Sequence, residues 1–175
     1  TLKLLNHFGI KKEMISYFEH NKGFKGDIII DRILKGETCA LVSDAGMPAI
    51  SDPGEDLVKR CRDFGVEIES VPGPTAVTTA LSISGFPTKR FCFEGFLSVG
   101  KKERREHLEE IKTEKRTMIF YEAPHKLKAT LKDMLEILGN REIALVKELT
   151  KIHEDVFITT FEDALLFYEE NPPKG

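Results

Sequence analysis

The alternation of short apolar runs with amphipathic segments constrains the fold of this chain most. In the first half, the run at 38–43 leads through a turn-rich loop to the amphipathic segment 55–64, and a second run at 66–71 leads to a small-residue segment at 75–84. Strand, loop and helix repeated in this order are typical of a largely parallel sheet with helices packed on it. We therefore predict an α/β fold.

The segment "GFPTKR" at 85–90 interrupts this alternation with glycine, proline and two basic residues. We predict a domain boundary there, which gives an N-terminal α/β domain over 1–87 and a C-terminal α/β domain over 88–175. The remaining predicted helices are 2–8, 12–19, 28–34, 101–112, 124–138 and 162–170, and the remaining predicted strands are 91–96, 117–121, 142–147 and 156–160.

The loop after the first predicted strand, "DAGMPAISDPGE" at 44–55, is rich in turn-forming and acidic residues. Its last part predicts a helix start, with Asp52 as the cap, Pro53 at the first helical position and Glu55 as the capping-box carboxylate. Open α/β sheets bind ligands at the carboxyl ends of strands, so the loop is also a candidate ligand site that offers the Asp44 carboxylate. A capped surface turn is the alternative, and the spacing leaves both open.

Composition limits the cellular setting. The chain has 175 residues, 41% hydrophobic and 31% charged, and its apolar runs are far shorter than the roughly 20 residues that cross a bilayer. We expect a globular cytoplasmic protein. Cys39, Cys61 and Cys92 lie far apart in apolar surroundings, which favours buried free thiols in a reducing compartment over disulfides or a zinc site.

Charge is unevenly distributed along the chain. The formal net charge is -3, yet residues 89–128 hold eleven Lys and Arg against seven Glu. A basic segment in an acidic protein is a candidate contact for a polyanion. The alternative is a solvated helix face on which Glu103, Glu106, Glu109 and Glu110 pair with the cations.

Common nucleotide and hydrolase signatures are missing from the sequence. It contains no G-x-G-x-x-G, G-x-x-x-x-G-K-[ST], H-E-x-x-H or G-x-S-x-G pattern, and the H-x-E formed by His107 and Glu109 has no P-C-x-x-C partner. These absences disfavour dinucleotide oxidoreductases, P-loop NTPases, zinc proteases and serine hydrolases. We expect no metal site.

Five ordered segments carry a family resemblance. They are "ALVSDAGMPAISDPGEDLV", "VPGPTAVTTALSISGFP", "FCFEGFL", "IFYEAPHKL" and "LVKELTKIHE". Together they resemble the ribosomal RNA small subunit methyltransferase I family, a branch of the tetrapyrrole methylase (class III) enzymes. The resemblance implies two α/β domains with S-adenosylmethionine (SAM) in the cleft between them, a homodimer, and methylation of a cytidine ribose 2′-hydroxyl in 16S rRNA. It also leads us to expect an N-terminal domain without its first strand and a truncated C-terminal domain.

The resemblance also assigns residues. It implies cofactor contacts at Asp44, Ala45, Gly46, Ala49, Ile50, Thr75, Ala76, Tyr121, Ala144 and Leu149, with 144–149 closing the cleft. The catalytic candidates are Glu122, Lys147 and Glu148, polar residues expected to face the methyl group of SAM, where a group must take up the hydroxyl proton. The sequence does not identify which residue is the base. The candidate RNA contacts are Lys89, Arg90, Lys101, Lys102, Arg104, Arg105, His125, Lys126 and Lys151. For Glu122 an ion pair with a nearby lysine is the alternative, and for His125 a capping role.

Three other functions are compatible with parts of this pattern. A small-molecule methylase of the same fold, acting on a tetrapyrrole, is the nearest alternative. An RNA-binding module would need only the basic segment, without the cofactor loops. A nucleotide hydrolase would need a metal-binding carboxylate cluster, whereas the acidic residues of 44–56 are better explained as one ligand contact plus a helix start.

Overall fold

The computed structural model describes residues 1–173. It is a mixed structure of helices and strands that divides into two compact units, the first over Thr1–Thr75 and the second from Ala76 onward. The mixed α/β character agrees with the expected fold class. The division between the units falls earlier in the chain than the 87/88 boundary, and the two-domain assignment stays a prediction.

The first unit is built around two helices packed on each other. It contains α1 (Leu2–His7), α2 (Lys22–Leu34) and α3 (Glu55–Asp63). Apolar residues at helical spacing bring α2 and α3 together through a small core of Ile29, Ile30, Leu57 and Cys61. All three helices were expected from the sequence, although α2 begins earlier than predicted.

The predicted helix at 12–19 is wrong. These residues form no helix in the described chain. Apolar side chains two residues apart, instead of three or four, contact the core. Ile15 and Tyr17 both pack against the α2–α3 core, and the Tyr17 hydroxyl donates a hydrogen bond to Asp56 on α3. Contacts with α3 therefore override the local helical pattern.

The strands predicted at 38–43 and 66–71 are also wrong. Neither segment forms a strand in the described residues, so the first unit has no sheet there. A strand forms only when its backbone N–H and C=O groups pair with those of a neighbouring strand, and these two segments do not pair with each other. One consequence corrects a cysteine prediction: Cys39 is exposed, whereas Cys61 is buried and Cys92 is half-buried, all three as free thiols.

The start of α3 differs from the predicted capping box. The helix begins at Glu55 with Gly54 as its N-cap, so neither Asp52 nor Pro53 has the expected position. Gly54 is buried with φ 142°, and a Cβ there would lie 2.5 Å from the Leu41 side chain. The packing of Leu41 on the backbone requires a glycine at this position, so Gly54 and not Asp52 precedes the helix, which begins at Glu55 as predicted.

The second unit follows the predicted order of elements closely. It contains α4 (Ala76–Ile83), β1 (Phe91–Phe96), α5 (Lys101–Glu110), β2 (Thr117–Tyr121), α6 (Pro124–Leu138), β3 (Glu142–Lys147), β4 (Asp155–Thr160) and α7 (Phe161–Glu170). Strand β1 pairs in parallel with β2, and β3 pairs antiparallel with β4.

A larger apolar core holds this unit together. Leu108 of α5, Leu131 of α6 and Ala164 of α7 are almost completely buried within it. Pro124 at the first turn of α6 and Gly139 after its last residue, with φ 77°, mark the ends of that helix. The Thr160 hydroxyl caps α7 by accepting a hydrogen bond from the Asp163 N–H.

An ion network joins α5 to α6 inside this core. Asp133 is only 4% exposed, and its carboxylate accepts hydrogen bonds from Arg104 Nε at 2.8 Å and Arg105 Nη1 at 2.9 Å. Arg105 also forms a two-bond pair with Glu136. Burial alone raises the pKa of Asp133, but the two guanidinium groups outweigh burial and hold that pKa below its usual range. The network therefore fixes one helix against the other.

Candidate functional site

The loop that begins at Asp44 lies against the "PGPT" segment of the same unit. The Met47 N–H donates a hydrogen bond to the Pro74 carbonyl at 3.0 Å. The Ser43 hydroxyl donates to the Ala45 carbonyl at 3.2 Å and so tightens the turn. Asp44, Ala45 and Gly46 are all exposed on this turn. The structure thus brings together two loops that the sequence assigned separately to the cofactor.

Gly46 is required for this loop pairing. Its φ is +72°, and a Cβ would lie 2.5 Å from the Pro74 carbonyl oxygen. A side chain would therefore strain the backbone and push the two loops apart. Beyond it, Ala49 and Ser51 also have positive φ values, 64° and 59°, although neither is a glycine. Such strained residues cluster at binding and catalytic sites.

The other predicted cofactor contacts in this part of the chain are close by in sequence. Ala49 is half-buried and Ile50 is 54% exposed. Thr75 is half-buried at the end of the "PGPT" segment, and Ala76 is the exposed first residue of α4.

In the second unit, Tyr121 and Glu122 lie at the carboxyl end of β2. The Tyr121 ring contacts the rings of Phe93 and Phe96, with centroid distances of 5.0 and 5.3 Å. The Glu122 carboxylate accepts hydrogen bonds from the Ala123 N–H at 2.7 Å and from the Thr130 hydroxyl. Both donors are neutral groups, so these contacts differ from the lysine pair considered as the alternative for Glu122.

The turn between β3 and β4 carries the second group of catalytic candidates. Lys147 lies 3.2 Å from Asp155, and Glu148 lies 2.8 Å from Lys151. Glu148 and Thr150 have φ values of 52° and 64°, and the Thr150 N–H donates to Glu154 at 2.6 Å. Ala144 on β3 and Leu149 in the turn are half-buried. This turn is therefore both strained and held by ion pairs.

The predicted RNA contacts separate into exposed and engaged residues. Lys89, Arg90, Lys101, Lys102, His125 and Lys151 are exposed, and Lys126 is half-buried. Lys102 is 3.8 Å from Glu106, a long ion pair on an exposed helix face. His125 occupies the first turn of α6, but the N-cap of that helix is Ala123.

Arg104 does not fit its predicted role. It is 9% exposed, and its guanidinium lies 2.6 Å from Asp133. A buried guanidinium held by a carboxylate has neither the access nor the free charge that a phosphate contact needs, so the structure argues against RNA binding by Arg104. Arg105 is partly accessible but is shared between Asp133 and Glu136. Of the four cations in 101–105, Lys101 and Lys102 are thus exposed, and Arg104 and Arg105 are paired with carboxylates.

Several residues that hold the site in place were not predicted from the sequence. Thr130 holds Glu122 from the next helix, and Asp133 holds Arg104 from a position 29 residues away. The ring contacts of Phe93 and Phe96 depend on a bulge at Gly95, whose φ is 65°. A glycine inside the apolar "FCFEGF" run is the one signal that predicts such a bulge.

The described chain has no cluster of metal ligands and no helix able to span a membrane. Residues 1–173 contain no group of three or more His, Cys, Asp and Glu placed to hold a metal ion. No helix within the same residues combines the length and apolar character that crossing a membrane requires.

Comparison with known proteins identifies the family. The model of the tetrapyrrole (corrin/porphyrin) methylases matches residues 6–165. Three relatives named ribosomal RNA small subunit methyltransferase I, from Halalkalibacterium halodurans, Thermotoga maritima and Synechocystis, are 52%, 44% and 45% identical over the whole chain. The chain covers 61%, 78% and 63% of their respective lengths. The resemblance seen in the five motifs is confirmed: the chain belongs to the tetrapyrrole methylase family, among the relatives named ribosomal RNA small subunit methyltransferase I.

Proposed function

We propose that this chain is a SAM-dependent methyltransferase that methylates a cytidine ribose 2′-hydroxyl in 16S rRNA of the small ribosomal subunit. The observation that carries the proposal is identity of 44–52% across the whole chain with relatives named for ribosomal RNA methylation. Those names favour rRNA over a tetrapyrrole as substrate. Following the family resemblance, we further propose a cytoplasmic homodimer of two-domain subunits with the cofactor in the cleft between the domains.

The paired loops of the first unit fit a cofactor of this kind. Asp44, Ala45 and Gly46 expose a carboxylate and backbone with small side chains, which suits close contact with a ligand that has hydroxyl and amino groups. The Met47–Pro74 hydrogen bond holds the loop in place before a ligand arrives. When bound, SAM supplies an already activated methyl group. The proposal that Tyr121 and residues 144–149 contact the same molecule rests on the family resemblance.

Replacement of Asp44 by alanine is the first test of the cofactor site. We expect SAM affinity to fall by roughly 1–3 kcal/mol, because a charge-assisted hydrogen bond is lost while the exposed position leaves the fold intact. Calorimetry on the purified variant measures the change. Asp52→Ala is the matched control, since Asp52 is an exposed carboxylate of the same loop. Equal SAM affinity in the Asp44 variant and the wild type would remove Asp44 from the site.

Among the catalytic candidates, Glu122 is best suited to accept the ribose proton. Its carboxylate is held by two neutral donors, so its negative charge is not shared with a cation. Glu148, in contrast, is paired with Lys151, and Lys147 is paired with Asp155. We propose that Glu122 acts as general base, and that Lys147 and Glu148 fix the turn that positions the reacting groups.

The exposed cations at the start of α5 are the proposed RNA contacts. Reversal of both Lys101 and Lys102 to glutamate should abolish methylation of small subunits and leave SAM affinity nearly unchanged. Each lost phosphate contact should also reduce the salt dependence of RNA binding by roughly 0.7–1 in the log–log slope. Arg104 and Arg105 are left unchanged because they hold Asp133. Normal methylation with normal salt dependence would show that this face does not touch RNA.

The proposed activity itself is tested with labelled cofactor. Transfer of tritiated methyl groups from SAM to small ribosomal subunits, followed by mapping of the modified nucleotide, should place the label on a cytidine ribose. Label on a base, or no transfer in a protein that binds SAM, would contradict the proposed function. Transfer to a tetrapyrrole instead would support the small-molecule alternative.

A further inference from the structure

The last residue of β1 is an exposed phenylalanine. Phe96 is 59% exposed, and it lies in register with Tyr121, the last residue of β2. The centroids of the Phe96 and Tyr121 rings are 5.3 Å apart with an interplanar angle of 57°, and the Phe93 ring contacts Tyr121 edge-on at 5.0 Å. One ring of this aromatic cluster (Phe93, Phe96 and Tyr121) is thus largely open to solvent.

The exposure of Phe96 is produced by a bulge. The register of β1 on β2 skips Glu94, and the following Gly95 has a φ of 65°. In a regular strand, residues three apart point to opposite faces. The extra residue allows Phe93 and Phe96 to contact the same tyrosine, and it directs the Glu94 carboxylate to His107 of α5 at 3.0 Å. Bulges that redirect a side chain in this way are frequent beside active sites.

The surroundings of Phe96 favour a polyanion with flat bases. Exposed Lys101 and Lys102 open α5, a few residues further along the chain, and the proposed base Glu122 directly follows Tyr121. Aromatic rings next to cations are the usual means by which proteins hold unpaired nucleotides: the ring stacks on a base, and the cations contact the backbone. The positive charge of Lys101 and Lys102 would favour the phosphates of RNA over SAM, whose sulfonium group is itself a cation.

We propose that Phe96, supported by Tyr121, is a stacking platform for an unpaired nucleobase of the RNA substrate. The inference rests on the proposed function and deepens it, because it names a residue that positions the RNA at the carboxyl end of β1. Stacking on one side only places the nucleotide without reading its hydrogen-bonding edge. The platform therefore contributes to substrate affinity and orientation more than to the choice of base.

The test compares three variants of Phe96 with a control. Phe96→Ala removes the ring, Phe96→Leu keeps an apolar side chain without a π face, and Phe96→Trp enlarges the face. Phe64→Ala is the matched control, since Phe64 is also 59% exposed and lies at the end of α3. For each protein, KM for small subunits, SAM affinity by calorimetry, and binding of a short oligocytidylate are measured.

We expect Phe96→Ala and Phe96→Leu to weaken oligocytidylate binding and to raise KM by about 5- to 100-fold, the usual effect of losing one stacked base. Phe96→Trp should retain both values, and SAM affinity should stay unchanged in all variants. A fall in SAM affinity that matches the rise in KM would overturn the proposal in favour of the adenine of the cofactor. Unchanged RNA binding in Phe96→Ala would also overturn it.

The oligocytidylate measurement separates this inference from the proposed function. If the wild-type protein transferred no methyl group to small subunits, the proposed function would fail. Loss of oligocytidylate binding in Phe96→Ala but not in Phe64→Ala would still support the stacking platform, because that readout needs no methyl transfer.

Discussion

Replacement of Asp133 by alanine is expected to lower the free energy of unfolding by about 3–5 kcal/mol. The change leaves the buried Arg104 guanidinium without its carboxylate, and breaking a buried ion pair from one side has a cost of this size. The better helix propensity of alanine in α6 offsets only a few tenths of a kcal/mol. Urea unfolding followed by circular dichroism measures the difference.

Two further variants sharpen this prediction. Glu106→Ala is the control: Glu106 is an exposed carboxylate on α5 with a single long ion pair, and its loss should leave the unfolding midpoint unchanged. The double variant Arg104→Met with Asp133→Leu removes both buried charges and should recover most of the lost stability. A single Asp133 variant as stable as the wild type would show that the network does not hold α5 on α6.

The same carboxylate gives stability a defined pH dependence. Because the pKa of Asp133 is lower in the folded chain than in the unfolded one, its contribution is present above about pH 4. That contribution is lost as the pH falls through the lower, folded-state pKa. Asp133→Asn should therefore flatten the acid limb of the stability curve and leave the shape above neutral pH unchanged.

Glu122→Gln is expected to reduce the rate of methyl transfer by about 10²–10⁴-fold, the usual contribution of a general base. Glutamine fills the same space: its Oε1 can still accept a hydrogen bond from the Ala123 N–H, and its Nε2 can donate one to the Thr130 hydroxyl oxygen, but it cannot take up the ribose proton. Single-turnover transfer to small subunits, with SAM in excess, measures the chemical step alone.

Thr130→Val is the matched control for Glu122. It removes one hydrogen bond to the carboxylate and leaves the carboxylate itself, so transfer should slow far less than in Glu122→Gln. SAM affinity should be unchanged in both variants. Full activity in Glu122→Gln would exclude this residue as the base and return attention to the turn at Glu148.

The sequence predicted local structure well where one local signal was sufficient. The bounds of β1, β2 and α6 agree with their predicted residues, because alternation, helical periodicity and the Pro124 and Gly139 signals act within a few residues. It failed where a segment needed a distant partner. The runs at 38–43 and 66–71 have strand-like composition, but backbone pairing with another strand decides whether a strand forms.

The motifs of the sequence by themselves determined the family and selected the loops around Asp44, Thr75 and Glu122. Tertiary structure alone decided which of the candidate side chains are exposed and unpaired, and so able to contact a ligand. Arg104 and Lys102 are indistinguishable as cations of one helix, yet Asp133 lies 29 residues beyond Arg104 and removes only that residue from the surface. Similarly, the bulge at Gly95 determines that Phe96 faces solvent beside Tyr121. Exposure and ion pairing depend on contacts between segments distant in the chain, and these contacts cannot be predicted from residue type and local spacing.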